Sequence, residues 1–420
     1  MMHNRALATL FFTIFLDMVG VGIMIPVVPV ILADPASPHY LLSAETSPRV
    51  GYILLGFMFA LYSFGQFIAS PIIGQFSDKF GRKKMLLFSV LGTAVGHALF
   101  ALAVTWKYVP LLLLTRFFTG ITTGNVVVAQ ASIADITTPE RRAANFGLIG
   151  AAFGLGFIIG PFIGGRLADD TLVSWFTAAT PFWFAAVLSV FNLLFVATML
   201  KETNLRTGGA HTIDWGRSVK NILHAFNLKT LRPLFITGFL FNAGFTFYVT
   251  FVSVFLFSQF GFTEASIGNY FAYIGLWIVF TQGVVTRAAG KIWSESRILR
   301  VSIVVVGLCI FAILSARESS WLYFIVPVFA MAMGLSGANL TALISRSADA
   351  SVQGQILGLN GSVNALAMIL PPLLAGPVAA AFDPRVPLLF ASAIVIASGM
   401  YFIAHIRRVS KNRNDYKVGP

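Results

Sequence analysis

The segment Thr9–Leu32 reads TLFFTIFLDMVGVGIMIPVVPVIL, an apolar stretch with one carboxylate, Asp17, near its middle. A helix of about 20 apolar residues crosses the roughly 30 Å hydrocarbon core of a bilayer. Runs of this kind recur along the 420 residues, of which 57% are hydrophobic and only 11% are charged. A membrane β-barrel would instead alternate apolar and polar residues in segments of about ten positions. The sequence therefore predicts an all-α integral membrane protein, whose first run is too long for a cleaved signal peptide.

The apolar runs predict twelve transmembrane helices, at 6–32, 50–74, 85–105, 109–131, 146–165, 177–200, 233–257, 266–286, 301–315, 321–343, 355–380 and 387–406. An even number of helices places both termini on one side. Of the 29 Lys and Arg residues, few lie in the loops of the opposite side, namely Arg49, Lys107, Arg166, Arg317 and Arg385. Basic loops stay in the cytoplasm, so we expect both termini there, in a multi-pass protein of the cell membrane such as a bacterial inner membrane. The net charge of +13 then reflects topology, and no nucleic-acid partner is expected.

The longest hydrophilic stretch divides the chain into halves. We predict an N-terminal six-helix bundle over 1–200, a cytoplasmic linker over 201–232, a C-terminal six-helix bundle over 233–406 and a cytoplasmic tail over 407–420. Four positions recur about 210 residues later, which indicates an internal repeat; the pairs are Gly74 and Gly283, Gly81 and Gly290, Gly124 and Gly334, and Pro161 and Pro371. Two pseudo-symmetric bundles with a path between them are a plan that membrane transporters use.

The connection between predicted helices two and three reads GQFSDKFGRKK over Gly74–Lys84. Its two glycines allow close approach of helices and a sharp turn. Its acidic and basic residues supply both signs of charge at the membrane edge, so they can form an ionic latch that breaks and re-forms. The alternative is that the basic cluster only fixes topology. The candidate gating and latch residues, with two added from the next connection on this side, are Gly74, Asp78, Gly81, Arg82, Asp135 and Arg142.

This connection resembles the major facilitator superfamily, whose G-x-x-x-D-x-x-G-R-[RK] signature it matches. Predicted helix four carries RFFTGITTG from Arg116, and helix five carries GAAFGLGFIIGPFIGG from Gly150. The opening LDMVGVGIMIPVVP is similar to the first helix of proton-coupled drug antiporters, most closely the tetracycline-efflux branch. The resemblance implies a twelve-helix, two-bundle fold that exports small molecules in exchange for protons by alternating access.

Two departures from that branch concern acidic residues. Its exporters also carry carboxylates in the third and ninth helices, whereas this chain has Gly96 and His97 in the third and no acid over 301–315. The departures argue against a tetracycline–metal chelate as substrate and leave the antiporter interpretation unchanged.

The helix-five motif also has a physical interpretation of its own. Gly150, Gly154 and Gly160 give the small-residue spacing that lets helices pack backbone to backbone. Pro161 removes one hydrogen bond of the helix ladder and permits a bend. Close packing alone would explain these residues; packing that must also slide during transport is the alternative that the resemblance favours.

Three ionisable residues lie well inside predicted helices, namely Asp17, His97 and Arg116. At about 1.5 Å per residue, all three lie roughly 16 to 22 Å from the terminal side. A lone carboxylate at the bilayer centre costs about 2.5–3.5 kcal/mol, so it faces a partner or a wet cavity. We predict that Asp17 couples protons, with Arg116 as its counter-charge and His97 as a further titratable group. The alternatives for Asp17 are a structural carboxyl hydrogen-bonded across helices, or direct contact with substrate. Arg116 could instead anchor an anionic substrate or form a structural pair, and His97 could be a satisfied hydrogen-bond partner without a role in transport.

The C-terminal half has no acid or base at mid-membrane depth. Its candidate substrate-path residues are amides and one aromatic, namely Asn242, Tyr248, Gln282, Asn339, Asn360 and Asn364. Such a surface suits an amphipathic, partly aromatic molecule. No cofactor motif or metal site is predicted, and the single cysteine, Cys309, excludes an intrachain disulfide.

An intramembrane enzyme is a rival class to a transporter. Gly334-Leu-Ser336-Gly337 looks like the nucleophile motif of rhomboid-type intramembrane proteases, with His405 as a candidate base. The two side chains differ in predicted depth by roughly 10 Å, which is too far for a hydrogen bond. We therefore predict a monomeric transporter rather than an enzyme, whose partners are a small molecule, protons and the lipid bilayer. It exports an amphipathic or drug-like molecule against protons; an importer of a sugar or organic acid is the alternative, and a non-transporting receptor a distant third.

Overall fold

The computed structural model describes residues 2–43, 45–137, 142–204, 213–229, 231–347 and 353–415. All regular elements within these ranges are helices, and twelve of the resulting segments are long and apolar enough to span a membrane. The α-helices are α1 (Met2–Ala33), α2 (Pro48–Phe80), α3 (Arg82–Thr105), α4 (Val109–Thr122), α5 (Asn125–Ile136), α6 (Arg142–Leu167), α7 (Thr180–Met199), α8 (Arg217–Asn227), α9 (Arg232–Phe260), α10 (Glu264–Phe280), α11 (Thr286–Ile292), α12 (Glu295–Ser315), α13 (Leu322–Arg346), α14 (Gln353–Ala381) and α15 (Val386–Asp415). The predicted all-α fold with twelve membrane spans is confirmed.

Two spans are interrupted. The fourth consists of α4 and α5, which are separated by Thr123 and Gly124. The eighth consists of α10 and α11, joined by a π-helical turn over Thr281–Val285. The sequence predicted each as one continuous helix, because apolar character alone does not report a local change of hydrogen-bond pattern.

The segment that the sequence indicated as a loop is a single-residue turn, and this corrects the expectation. Helix α2 continues beyond Gly74 through Asp78 to Phe80, and α3 begins at Arg82. Only Gly81 between them leaves the helical conformation, with φ +102° and ψ 148°. A polar helix can leave the membrane without a break because its backbone hydrogen bonds are internal. The end of the apolar run therefore does not mark the end of the helix.

The residue contacts divide the chain into two units. Unit 1 comprises 1–217 and 256–272, and unit 2 comprises 218–255 and 273–420. Unit 1 is therefore not a continuous half of the sequence, because it includes the end of α9 and the start of α10. The short helix α8 lies in the segment that the sequence indicated as a linker, and it was not predicted.

In unit 1, α1 and α6 pack backbone to backbone. A Cβ on Gly22 would lie 2.8 Å from Pro161 Cδ and 3.0 Å from Gly160 Cα. A Cβ on Gly160 would lie 2.7 Å from the carbonyl oxygen of Val19. Only glycine permits such an approach. The helix-five motif that begins at Gly150 lies in α6. Its small residues therefore let α6 pack directly on α1, which carries Asp17.

In unit 2, α12 packs on α13 and α15 through small and hydroxyl side chains. A Cβ on Gly307 would lie 2.5 Å from Ile396 Cγ1, and Ser392 donates a hydrogen bond to the Gly307 carbonyl over 2.8 Å. Ser336 donates to Ser302 over 2.8 Å. These contacts between α12, α13 and α15 lie in the interior of unit 2, and none of them is made by an acidic side chain of the described residues.

Candidate proton-coupling site

Asp17 lies in the middle of α1 and is 4% exposed. The Asn125 amide Nδ2 donates a hydrogen bond to Asp17 Oδ2. Asn125 is the first residue of α5, and it is 1% exposed. The interruption of the fourth span therefore places an amide donor directly against the buried carboxylate. The sequence analysis missed Asn125, although an amide following Gly124 in an apolar span is a signal that could have found it.

Arg116 does not form the expected ion pair with Asp17. Among the described residues, the ion pairs within 4.0 Å include none made by Asp17. The Arg116 guanidinium lies instead over the ring of Tyr62 in α2, with its carbon 4.4 Å from the ring centroid. Both residues are buried, at 3% and 5% exposed. The aromatic ring gives the buried cation a partner that is not an acid.

Tyr62 connects this cation to the interruption in the fourth span. Its side chain shares a hydrogen bond with that of Thr123, and it lies within electrostatic range of both Asp17 and Arg116. The Nε atom of Arg116 is buried and has no hydrogen-bond partner among the described residues. The site therefore contains an acid that pairs with Asn125 and a cation that pairs with Tyr62, and neither partner was singled out from the sequence.

His97 contacts the same stretch of α1 from α3. A Cβ on Gly20 would lie 2.7 Å from His97 Cε1, so the ring lies flush against the helix one turn beyond Asp17. His97 Nδ1 and the Ser189 hydroxyl of α7 are 3.3 Å apart. The three ionisable residues predicted to lie at similar depth thus share the interior of unit 1, but none of them is within ion-pair distance of another.

The glycines of the helix-five motif, which lies in α6, fall into two groups that differ in how closely they approach α1. Gly156, Gly160 and Gly164 approach α1 so closely that a Cβ would lie 2.4–2.7 Å from its atoms. Gly150 and Gly154 have no neighbour within 4 Å of such a Cβ in the described part of the chain. The same part of α6 also packs closely on the start of α10, because a Cβ on Gly268 would lie 2.7 Å from the Pro161 carbonyl oxygen.

The residues of the predicted latch meet at the terminal side of unit 1. Arg82 forms ion pairs with Asp78 at 2.6 Å and with Asp135 at 2.9 Å. Its guanidinium also donates to the Ser77 hydroxyl over 2.6 Å. Gly74 lies in α2 and faces α5, where a Cβ would be 3.3 Å from Val127 Cγ1. Arg142 begins α6, and its side chain lies outside the described residues.

Glu202, which the sequence analysis did not select, caps the first turn of α3. Its carboxylate accepts hydrogen bonds from the backbone N–H of Arg82 over 2.8 Å and of Lys83 over 3.1 Å. A Cβ on Gly81 would lie 2.5 Å from Glu202 Oε2. A carboxylate at a helix N-terminus satisfies unpaired N–H groups and the helix dipole. The segment after α7 is thereby attached to the turn between α2 and α3.

In unit 2, the structure brings together some of the predicted substrate-path residues. Asn242 Nδ2 donates to Asn364 Oδ1 over 3.2 Å, and a Cβ on Gly238 would lie 3.8 Å from Asn360 Oδ1. Tyr248 is 1% exposed and packs on Phe329, so it belongs to the core. Asn339 bonds the Leu335 carbonyl of its own helix, and Gln282 lies in the π-helical turn.

The residues of the rival protease dyad have other partners. Ser336 is fully buried and bonds Ser302 and the Ala332 carbonyl. His405 bonds the Tyr401 carbonyl over 2.9 Å and stacks on the Tyr401 ring.

Twelve spans and a buried polar site define a multi-pass membrane transporter. A sequence profile of the Major Facilitator Superfamily matches residues 10–372, and the chain belongs to this family. It is 31% identical over 377 residues to the class D tetracycline resistance protein of Salmonella ordonez, which covers 89% of each chain. It is 28% identical to multidrug resistance protein 2 of Bacillus subtilis, covering 91% of this chain and 90% of that one. The crystal structure of the human organic anion transporter MFSD10 (TETRAN) superposes with a TM-score of 0.71 at 22% identity, covering 95% of this chain and 99% of that one. The chain is therefore a transporter rather than an enzyme, as predicted.

Proposed function

We propose that this transporter exports a small amphipathic, drug-like molecule in exchange for protons, and that Asp17 carries the coupling proton. The observation that carries the proposal is the environment of Asp17, a carboxylate that is 4% exposed and has one amide donor and no ion pair. A charged carboxylate in a membrane interior costs about 2.5–3.5 kcal/mol, and binding a proton removes that cost. Binding or loss of a proton by Asp17 therefore changes the energy of this buried site by an amount of that order.

The packing around Asp17 links that change to movement. Val19 and Gly22 on α1 contact Gly160 on α6 at backbone distances, so a shift of α1 cannot be absorbed by side chains. Packed backbones move as rigid bodies or slide as units. A change in the charge of Asp17 is therefore passed to α6, and from Pro161 to the start of α10.

The latch residues are proposed to hold one state of the cycle. Arg82 is 8% exposed and lies between two carboxylates, so opening this cluster exposes charges that are paired when it is closed. We propose that both termini are cytoplasmic, so that the latch closes the cytoplasmic side. The proposed division of the chain remains two six-helix bundles joined by the linker 201–232.

The substrate class rests on residues of unit 2 and on the relatives. The Asn242–Asn364 pair supplies amide donors and acceptors without charge. Relatives named for resistance to tetracycline and to multiple drugs support an amphipathic aromatic substrate. The absence of an acid in the membrane part of α12, where Glu295 at the end pairs with Arg346, argues against a metal chelate.

Transport in proteoliposomes under an imposed pH gradient tests the proposal. The probe is the cationic dye ethidium, and the variants are Asp17→Asn and, as a matched control, Asp170→Asn at an exposed loop residue. We expect probe movement opposite to the proton flux in wild type and in Asp170→Asn, and none driven by the gradient in Asp17→Asn. Movement in the same direction as the protons would identify a symporter, and flux that ignores the gradient would refute coupling.

A further inference from the structure

Asn192 of α7 is a second buried amide close to the site. It is 0% exposed, and its Oδ1 accepts a hydrogen bond from the Thr13 hydroxyl over 3.0 Å. Thr13 has a second acceptor, the Thr9 carbonyl at 2.9 Å, and a hydroxyl has only one proton to share between them. Among the residues that the structure describes, none is a hydrogen-bond partner of Asn192 Nδ2.

One atom of this amide lacks a partner whichever way the amide is oriented. With the two amide atoms exchanged, Nδ2 donates to the Thr13 hydroxyl and the carbonyl oxygen of Asn192 becomes the atom without a partner. One end of a fully buried amide therefore lacks a protein partner in either orientation. Buried polar atoms of this kind are satisfied by an ordered water that makes about three hydrogen bonds.

The position of this amide relates it to Asp17. Thr13 precedes Asp17 by one helical turn, about 6 Å along α1. On the other side of Asp17, Gly20 touches His97, which pairs with Ser189 of the same helix α7. The segment of α7 between Ser189 and Asn192 therefore runs beside the turn that carries Asp17.

The polar residues of α1 continue towards the terminal side. Thr9, Thr13 and Asp17 are spaced four residues apart and lie on one face, at 0%, 0% and 4% exposed. The Thr9 hydroxyl bonds the carbonyl of Arg5, which is exposed. The helix thus has a buried polar stripe that leads from its first exposed turn to the carboxylate.

We propose that Thr13 and Asn192 hold a water molecule that exchanges protons with the Asp17 carboxyl, and that the stripe through Thr9 leads those protons to the terminal side within unit 1. The inference rests on the proposed function, because it gives a route to the proton assigned to Asp17. The substrate has no share in this route, so its path and the proton path differ on this side.

Water is the only co-reactant in the transfer of the proton from Asp17. On release, the O–H bond of the protonated Asp17 carboxyl breaks and an O–H bond forms on the water, which becomes hydronium and passes a proton to the next water. The carboxylate that remains keeps the N–H of Asn125 as its donor. Thr13 and Asn192 do not titrate in this step, so they are positioning residues.

Time-resolved infrared spectroscopy of the full-length protein in proteoliposomes tests the route. The signal is the C=O stretch of the protonated Asp17 carboxyl, assigned by its loss in Asp17→Asn, and its shift after mixing with D2O gives the exchange rate. We expect Thr13→Val and Asn192→Leu to slow exchange about tenfold or more, because a positioned proton-transfer partner contributes a factor of this order or larger. Thr13→Ser keeps the hydroxyl and should exchange at the wild-type rate.

A matched control separates the route from the loss of a buried hydroxyl in general. Thr237 is also 0% exposed and bonds the carbonyl four residues before it, but it lies in unit 2, so Thr237→Val should exchange as wild type does. Unchanged exchange in both Thr13→Val and Asn192→Leu would overturn the inference and leave proton coupling by Asp17 standing. A wild-type protein without any band that Asp17→Asn removes would overturn both.

Discussion

The close approach of α1 and α6 predicts that two glycines of one helix respond oppositely to the same substitution. In Gly160→Ala, the new Cβ would lie 2.7 Å from the Val19 carbonyl oxygen and 2.8 Å from Gly22 Cα. Ordinary contact begins at 3.4 Å, so the helices must separate by several tenths of an ångström. Both neighbours are backbone atoms, which no rotamer change can move.

The free energy follows from this overlap. Overpacking a well-packed interface costs about 1–3 kcal/mol. For a unit of this size, that lowers the melting temperature by roughly 2 °C per kcal/mol at least. In Gly154→Ala nothing lies within 4 Å of the Cβ, so the substitution should be neutral or stabilise by up to about 1 kcal/mol.

The assay is thermal unfolding of the purified variants in one detergent at one scan rate, together with pH-gradient-driven transport. Gly160→Ala should melt earlier and transport more slowly, because α1 carries Asp17 two residues before Val19. Gly154→Ala should match wild type in both. Equal melting temperatures for the two variants would refute the packing of α1 against α6 through Gly160.

Two further predictions concern the turn between α2 and α3. Gly81→Ala should destabilise unit 1 by about 1–3 kcal/mol, because φ +102° with ψ 148° is a conformation that only glycine adopts readily; Gly290→Ala, at the equivalent repeat position with open space, should be neutral in the same melting assay. Glu202→Ala should cost about 0.5–2 kcal/mol through loss of the cap on α3, whereas Glu202→Gln, which keeps one acceptor oxygen, should cost less.

Each of these predictions has a contradicting outcome. A stable Gly81→Ala protein would mean that the turn does not need glycine. Equal losses in Glu202→Ala and Glu202→Gln would mean that the negative charge, rather than the hydrogen-bond acceptor, holds the first turn of α3.

The sequence predicted the spans because the membrane requires about 20 apolar residues per helix, a requirement that is local and visible in one dimension. It also predicted Asp17, because a carboxylate in such a run is costly wherever it points. The latch residues could also be predicted from the sequence, because residues of both charges lie close together in the chain. Arg82 does pair with Asp78, four residues away.

The partners of the buried charges were not predictable in this way. Asp17 and Asn125 are 108 positions apart, and Asn125 begins the helix that follows an interruption which the sequence did not predict. Its opposite charge made Arg116 the expected partner of Asp17, but the Arg116 guanidinium lies over the ring of Tyr62 instead. Glu202 was overlooked because a carboxylate after a span carries no periodicity that indicates a cap on another helix.

The most direct test of the central claim, that Asp17 couples protons to substrate movement, compares two kinds of flux in one preparation. Counterflow exchange of ethidium needs no net proton movement, whereas accumulation against a gradient of ethidium does. We expect Asp17→Asn to retain counterflow and to lose pH-gradient-driven accumulation. Accumulation by Asp17→Asn at the wild-type level would contradict the claim.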